Sequence, residues 1–217
     1  MNYQGAIFDL DGVIVDTAKY HCLAWREIAN VLGVPFSDAD NERLKGVSRM
    51  QSLEILLSMG NLQLSEEEKL RLTEQKNASY RNMLQALTKA DILPGAAELL
   101  HALRAAGIKT ALGSGSKNAS FILDRLEIRD LFDAIADGTC ITKAKPDPEV
   151  FCVAAKLLGL PPATLVVFED AAAGVTAALR GGMYPVGIGQ PEILRDAAVV
   201  LPDLTQTANI LAIFNRR

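Results

Sequence analysis

Residues 5–12 read Gly5-Ala6-Ile7-Phe8-Asp9-Leu10-Asp11-Gly12, an apolar run followed by two carboxylates and a glycine. The apolar run has the length of a buried strand. Carboxylates are poor strand formers and are costly to bury unpaired, so we expect the strand to end at Asp9. Gly12 then permits a sharp turn of the backbone. Taken alone, the pattern is also compatible with a strand that ends in an Asx turn.

Composition and charge limit the class of protein. The chain has 217 residues, of which 49% are hydrophobic and 22% charged, which is typical of a globular protein with a substantial core. Its formal charge of −4 gives no basic surface for nucleic acid or for an anionic membrane. No apolar run approaches the roughly 20 residues of a transmembrane helix. We therefore expect neither nucleic acid nor membrane as a partner.

Two further features bear on the cellular compartment. Asp9 and Asp11 interrupt the first apolar stretch and no basic segment precedes it, so we expect no signal peptide. Cys22, Cys140 and Cys152 are odd in number and lack metal-type spacing, which favours reduced thiols. The sequence predicts a cytoplasmic protein.

Residues 17–87 have a helical pattern throughout. Apolar residues at helical spacing predict a helix over 18–32, capped by Thr17 or Asp16 and ended by Gly33. Two more helices are predicted over 49–59 and 65–87. The second begins with a capping box, in which Ser65 stands three residues before Glu68.

From residue 91 onwards, strands alternate with helices. We predict strands at 108–112, 134–136, 165–168, 184–188 and 197–201. We predict helices at 95–106, 148–158, 171–179 and 207–214, and one more that follows Asn118 and ends at Leu126. Alternation of this kind predicts an α/β fold, a doubly wound parallel sheet with a Rossmann-like core. The core domain would comprise 1–16 and 88–217, and 17–87 would be an inserted α-helical cap domain. We expect the cap to act as a hinged lid over the carboxyl ends of the strands, where such sheets bind ligands.

Three polar clusters fall at predicted strand ends. Gly113–Asn118 is a Gly/Ser loop that could offer backbone N–H groups to a phosphate, although Ser116 could equally be a simple helix cap. Lys145 lies between Ala144 and Pro146 on a loop that prolines stiffen, and could act as a fixed positive charge. Glu169 and Asp170 end an apolar strand. Capping by Asp170 would explain only one of these two acids.

The acids outnumber the cations at this edge of the sheet. If Asp9, Asp11, Glu169 and Asp170 converge on Lys145 alone, the carboxylates repel one another. A divalent cation removes this repulsion, and oxygen ligands favour Mg²⁺. The sequence therefore predicts a magnesium site.

These motifs, in this order, resemble the haloacid dehalogenase superfamily of phosphotransferases. The resemblance rests on Asp9-x-Asp11-Gly12, Ser114, Lys145-Pro146 and Glu169-Asp170, and it covers essentially the whole chain. The cap segments around His21, Arg49 and Lys76 are similar to those of the superfamily's sugar phosphomutases. The resemblance implies an isomerase that interconverts β-D-glucose 1-phosphate and D-glucose 6-phosphate. The reaction would pass through an aspartyl phosphate, with β-glucose 1,6-bisphosphate as intermediate and activator.

The resemblance also implies a role for each site residue. Asp9 would be the nucleophile, Asp11 the general acid and base, and Ser114 and Lys145 would grip the transferring phosphoryl group. Mg²⁺ would be held by Asp9, Asp11 through its backbone carbonyl, Glu169 and Asp170. The substrate-binding residues would be Thr17, His21, Trp25, Lys45, Gly46, Val47, Arg49, Ser52, Lys76, Gly115, Ser116, Lys117 and Asn118.

Two alternatives remain open at this stage. The same core could hydrolyse sugar phosphates, with water attacking the aspartyl phosphate; Arg49, His21 and Lys76 favour the mutase. A receiver-like module that accepts a phosphoryl group without turnover is a non-enzymatic alternative, against which Asp11 and the helical insert count. In either enzymatic case the partner is a small phosphorylated sugar, and we expect a monomer.

Overall fold

The structure is a computed structural model, which describes residues 3–44 and 47–214. The chain forms two compact units, one made of Met1–Asp16 with Leu87–Arg217 and the other of Thr17–Ala86. The sequence pattern placed Leu87 in the helical segment. In the structure Leu87 is fully buried, and its carbonyl accepts a hydrogen bond from Arg125 Nη2 at 3.1 Å, which ties it to the α/β unit.

The unit Thr17–Ala86 consists of helices packed around their own apolar core. Its helices are α1 (Ala18–Leu32), α2 (Asp38–Glu42), α3 (Arg49–Met59) and α4 (Glu66–Leu84). The core is formed by buried residues that include Trp25, Ile28, Leu53, Leu56 and Leu72. Because these residues recur at helical spacing, each helix buries one face against the others.

Helix ends in this unit follow local capping chemistry. Gly33 ends α1 in the left-handed conformation, with φ 68°, and Ser65 and Glu68 form the predicted capping box of α4. Thr17 occupies the N-cap position of α1, but its side chain makes no capping bond; its hydroxyl accepts a hydrogen bond from Tyr80 at 3.0 Å. Helix α2 was not predicted, because five residues are too few to show a period. Its capping box, Ser37 with Asp40, is the signal that could have identified it.

The α/β unit is built on a six-stranded sheet. Its strands are β1 (Gly5–Phe8), β2 (Lys109–Gly113), β3 (Ala134–Ala136), β4 (Leu165–Glu169), β5 (Tyr184–Ile188) and β6 (Val199–Leu201). They are ordered β3-β2-β1-β4-β5-β6, and every neighbouring pair is parallel. The predicted doubly wound α/β fold is therefore confirmed.

Helices follow the strands in the same unit. They are α5 (Ala96–Ala105), α6 (Ala119–Arg125), α7 (Glu149–Leu158), α8 (Ala172–Arg180) and α9 (Thr207–Phe214). Short 3₁₀ turns occupy Lys89–Asp91, Arg129–Leu131 and Pro162–Thr164. Strand residues Ile7 and Val167 pack with Phe151 of α7 and Ala177 of α8 in one apolar cluster, so β1 and β4 are wholly buried. No helix among the described residues combines the length and the apolar character that a membrane crossing requires.

Sheet topology determines where a ligand site can form. From β1 the strand order runs through β2 to β3 on one side and through β4 to β6 on the other. The order reverses between β1 and β4, and a crevice at such a point lies at the carboxyl ends of the strands. Asp9 follows β1 and Glu169 ends β4, so both acids lie at this position.

Candidate active site

Asp9 is held at the end of β1 by the neighbouring strand. Its backbone N–H donates to the carbonyl of Phe168 at 2.9 Å, and the residue is 7% exposed. The chain then turns back through Gly12, whose φ of 82° favours glycine and whose N–H donates to the Val15 carbonyl at 2.8 Å. The predicted turn after the two aspartates is thus present, and Asp9 lies at the carboxyl end of β1.

Lys145 connects Asp9 to Glu169. Its Nζ lies 2.5 Å from Asp9 Oδ1 and 2.7 Å from Glu169 Oε2. Burial alone would lower the pKa of Lys145, but the charges of Asp9 and Glu169 outweigh it and raise that pKa above its ordinary value. The ammonium is therefore protonated at all working pH values, as the prediction of a fixed positive charge requires.

Three carboxylates come together without enough positive charge. Oxygen atoms of Asp9, Glu169 and Asp170 all lie within 4.8 Å of one another. Burial and the charge of Asp9 raise the pKa of Glu169 to about 7, although Lys145 opposes the shift. Desolvation of its carboxylate, with the charges of Asp9 and Glu169, raises the pKa of Asp170 to about 8. Glu169 and Asp170 are hard to ionise beside Asp9 because their carboxylates are desolvated and because the three carboxylates repel one another. A divalent cation would offset this repulsion, so the cluster fits such an ion.

Two glycines make room for these acids. A Cβ atom at Gly12 would overlap the carboxylate of Asp170, and one at Gly174 would overlap that of Glu169. The hard oxygen donors and the space around them fit Mg²⁺. The carboxylate of Asp11, which the sequence grouped with the other three acids, is not part of this cluster. Its expected role as a metal ligand through the backbone carbonyl stays a prediction. The Asp170 cap considered from the sequence is absent: Ala171 is the N-cap of α8, and its N–H donates to Glu169 Oε1 at 3.1 Å.

The Gly/Ser loop follows β2 and is folded on itself. The N–H of Ser116 donates to Ser114 Oγ at 3.1 Å, and the N–H of Asn118 donates to Ser116 Oγ at 3.2 Å. These two N–H groups are thus used within the loop. Within the described residues, the N–H of Gly115 has no hydrogen-bond partner, and the space beside its Cα is open.

Strand β3 and the loop after it form backbone hydrogen bonds with the Gly/Ser loop. Gly138 N–H donates to the Ser116 carbonyl at 3.2 Å, and Ser114 N–H donates to the Ala136 carbonyl at 3.0 Å. A Cβ atom at Gly138 would overlap the carbonyl oxygen of Gly115 and lie 2.9 Å from the Lys117 nitrogen. Sequence reasoning did not identify Gly138, because a single glycine after a strand carries no sign of what packs against it.

The loop that carries Lys145 is anchored at both ends. Glu149 accepts hydrogen bonds from the N–H groups of Thr142 at 2.9 Å and Lys143 at 2.6 Å, and these bonds lower its pKa. Arg180 Nη1 donates to the Pro146 carbonyl at 3.1 Å. The peptide bond between Lys145 and Pro146 is cis. Glu149 was not among the predicted site residues, although it lies in the same proline-rich stretch.

The helical unit holds a second group of cations. Lys76 is 2% exposed, and its Nζ lies 2.7 Å from His21 Nδ1 and 4.6 Å from the Tyr80 ring centre. Burial, then the charges of Lys76 and Arg49, lowers the pKa of His21 to about 3. His21 is therefore neutral at pH 7 and accepts the hydrogen bond from Lys76.

Arg49 is the other cation of this group. Its Nη2 donates to Asn77 Oδ1 at 2.7 Å. Burial lowers the pKa of Arg49, and Tyr80 partly opposes this, but a guanidinium remains charged in either case. The helical unit thus places a guanidinium and an ammonium on adjacent helices, α3 and α4.

The remaining expected ligands of the helical unit differ in exposure. Thr17, Trp25 and Ser52 are buried. Trp25 belongs to the apolar core, and the centre of its ring lies 5.2 Å from Lys76 Nζ. Val47 is 39% exposed. Lys45 and Gly46 lie outside the described residues. Their roles stay predictions.

Known proteins resemble this chain over most of its length. Residues 3–182 match the haloacid dehalogenase-like hydrolase family. The chain is 46% identical to the β-phosphoglucomutase of Bacillus subtilis (strain 168), over 91% of this chain and 88% of that protein. It is 31% identical to a phosphorylated carbohydrates phosphatase of Thermotoga maritima, over 91% of this chain and 90% of that protein. Among solved structures, a β-phosphoglucomutase from Clostridium difficile matches with a TM-score of 0.93 and 42% identity, over 98% of this chain and 97% of that chain.

Proposed function

Because this chain belongs to the haloacid dehalogenase-like hydrolase family, we propose that it is a Mg²⁺-dependent phosphomutase. It interconverts β-D-glucose 1-phosphate and D-glucose 6-phosphate through β-glucose 1,6-bisphosphate. The observation that carries the proposal is the convergence of Asp9, Glu169 and Asp170 around Lys145 in a chain 46% identical to a β-phosphoglucomutase. The helical unit's cations, Arg49 and Lys76, support a mutase because a mutase must also bind a phosphate that is not being transferred.

Asp9 performs the covalent step. A carboxylate oxygen of Asp9 attacks phosphorus of the bisphosphate, the O–P bond to the sugar breaks, and Asp9 becomes an aspartyl phosphate. Asp11 donates its proton to the departing sugar oxygen. In the other half of the cycle Asp11 takes the proton from a sugar hydroxyl, which attacks the phosphoryl group and restores the Asp9 carboxylate.

Positive charge and hydrogen-bond donors stabilise the phosphoryl group in transit. Lys145 already contacts Asp9 and would bind the phosphoryl oxygens with Ser114 Oγ and the Gly115 N–H. A Mg²⁺ ion held by Asp9, Glu169, Asp170 and the Asp11 carbonyl would neutralise charge on the transferring group. The high pKa values of Glu169 and Asp170 support this, since the acids need a cation in order to ionise together.

Substrate selection depends on the second phosphate. We assign the non-transferring phosphate to Arg49, whose guanidinium can bind it through two hydrogen bonds. Ser116, Lys117 and Asn118 contact the same end of the ligand, and His21 with Lys76 links sugar binding to the acid/base role of Asp11. The other sugar contacts come from Thr17, Trp25, Lys45, Gly46, Val47 and Ser52.

A product assay tests the proposal. The protein is incubated with β-glucose 1-phosphate, a trace of β-glucose 1,6-bisphosphate and Mg²⁺, and phosphorus NMR follows the products. We expect glucose 6-phosphate to accumulate, and Asp9→Asn to abolish both turnover and the aspartyl phosphate. Release of inorganic phosphate without glucose 6-phosphate would instead establish a sugar-phosphate phosphatase, the alternative that the Thermotoga maritima relative supports. A stable phosphoaspartate without turnover would favour a receiver-like module.

We further propose a monomer in a reducing, cytoplasmic compartment. Among the described residues, Cys22, Cys140 and Cys152 form no disulfide, and reduced thiols are typical of a cytoplasmic compartment. Size-exclusion chromatography with light scattering measures the oligomeric state.

A further inference from the structure

The contact between Arg49 and Asn77 joins two helices of the helical unit. Arg49 is the first residue of α3 and Asn77 lies in the second half of α4, 28 residues later. The bond from Arg49 Nη2 to Asn77 Oδ1 is 2.7 Å long and partly buried. A planar guanidinium held at one edge presents its other N–H groups in a defined direction.

Arg49 is held by an amide oxygen, whereas two other arginines of this chain, Arg26 and Arg104, are held by carboxylates. Arg26 pairs with Asp38 at 2.7 Å and Arg104 pairs with Asp133 at 3.1 Å, both through carboxylates. Of the described residues, no carboxylate lies within ion-pairing distance of Arg49. An amide oxygen accepts the same hydrogen bond as a carboxylate oxygen but carries no net charge. The guanidinium of Arg49 is thus oriented without being neutralised.

We propose that Asn77 is a positioning residue, which orients Arg49 toward the non-transferring phosphate while leaving its positive charge available. This inference rests on the proposed function, in which Arg49 binds that phosphate. A carboxylate at position 77 would form an ion pair with Arg49 and compete with the substrate phosphate for it. An apolar residue would release the guanidinium into many rotamers. Asn77 is therefore expected to affect isomerisation more than reactions of phosphoesters that carry no second phosphate.

Asn77→Asp tests whether Asn77 orients Arg49 for the substrate phosphate or only holds α3 and α4 together. The carboxylate keeps the acceptor oxygen, so the contact between α3 and α4 survives and the melting temperature is expected to stay the same or rise. The KM for β-glucose 1-phosphate in isomerisation is expected to rise about ten-fold or more, which corresponds to roughly 1.4 kcal/mol of lost binding. Hydrolysis of acetyl phosphate by the same protein is expected to change by less than about two-fold, since this substrate carries no second phosphate for Arg49 to bind.

Asn82→Asp is the matched control. It makes the same chemical change on an exposed position of α4, five residues beyond Asn77, so it reproduces the added charge without touching Arg49. We expect wild-type KM for it. Asn77→Ala provides a second variant with no new charge, for which KM is expected to rise by a smaller factor while the acetyl phosphate reaction is again retained.

The outcomes distinguish this inference from the proposed function. If the wild type forms no glucose 6-phosphate, the proposed function is wrong. If Arg49→Ala isomerises normally, the assignment of Arg49 to the non-transferring phosphate is wrong. If Arg49→Ala loses isomerisation but both Asn77 variants keep wild-type KM, the inference about Asn77 is wrong. It is also wrong if the Asn77 variants lose isomerisation and acetyl phosphate hydrolysis equally with a lower melting temperature, because that is the result of a purely structural role.

Discussion

Lys145 Nζ lies 2.5 Å from Asp9 Oδ1, although 136 residues separate the two along the chain. The side chains are 14% and 10% exposed, so the ion pair is largely withdrawn from water. The same ammonium reaches Glu169, whose side chain is 1% exposed. Lys145 therefore serves two buried acids at once, and its removal would leave both without their cation.

Lys145→Ala is expected to lower both stability and turnover. Removal of one partner from a buried ion pair typically costs about 3–5 kcal/mol, since it leaves uncompensated charge. Loss of a cation that contacts the transferring group is expected to reduce kcat by about 10²–10³-fold. Thermal unfolding and steady-state isomerisation measure the two effects. Lys143→Ala is the control, because Lys143 is exposed and pairs with Asp147 only at 3.6 Å; an equal loss in both variants would contradict the assignment.

Asp170→Asn is expected to have opposite effects with and without magnesium. In metal-free protein it removes one of three clustered carboxylates, so the repulsion falls and the melting temperature is expected to rise. With Mg²⁺, the wild type should gain stability by mass action while the variant gains little. Thermal unfolding with EDTA and across a Mg²⁺ titration measures both. Equal Mg²⁺ stabilisation of the two proteins would exclude Asp170 as a ligand.

His21 is expected to make the helical unit acid-sensitive. Its pKa is about 3 in the folded protein against an ordinary value of 6.5, so between these pH values the unfolded chain binds more protons. Stability therefore falls as the pH decreases below about 6.5, by about 1.4 kcal/mol at pH 5.5, since each unit of pKa is worth about 1.4 kcal/mol. Hydrogen exchange of α1 and α4 at pH 7.5 and 5.5 measures the loss.

Two glutamine variants isolate this effect from other titrating groups. His21→Gln should flatten the pH dependence of exchange in the helical unit, because glutamine does not titrate. The chain's other histidine, His101, is exposed, and His101→Gln should leave the dependence unchanged. A wild-type slope in His21→Gln would show that another group is responsible.

Gly138→Ala is expected to weaken phosphate binding by the Gly/Ser loop. The added methyl group would meet backbone atoms of Gly115 and Lys117, so the peptides on both sides of Ser116 must move. Such overpacking typically costs about 1–3 kcal/mol. We expect KM for β-glucose 1-phosphate to rise several-fold and acetyl phosphate hydrolysis to weaken as well, since the Gly115 N–H is assigned to the transferring phosphoryl group. Gly181→Ala is the control, since its nearest contact would be an ordinary 3.4 Å; the same KM shift there would refute the argument.

Much of the fold could be predicted because its signals are local. Helices α1 and α3 and strands β3 and β5 have the predicted boundaries, since apolar period, caps and glycines act within a few residues. The order of acidic and basic motifs, combined with the geometry of a parallel sheet, also predicted that Asp9, Glu169, Asp170 and Lys145 would meet at its carboxyl edge. Asp11 was expected there too, but its carboxylate is not part of the cluster. Short elements such as α2 could not be predicted, because one turn of helix is too short to show a repeating apolar pattern.

Most helices and strands, the parallel sheet and the set of charged groups at its edge follow from the amino-acid pattern alone. Three contacts become visible only in the assembled fold: Lys145 bridges Asp9 and Glu169, Asn77 holds Arg49, and Gly138 supports the Gly/Ser loop. Local patterns act between residues that are close along the chain. These three contacts join residues that are distant along it, and hydrogen bonds and packing choose such partners only when the elements assemble.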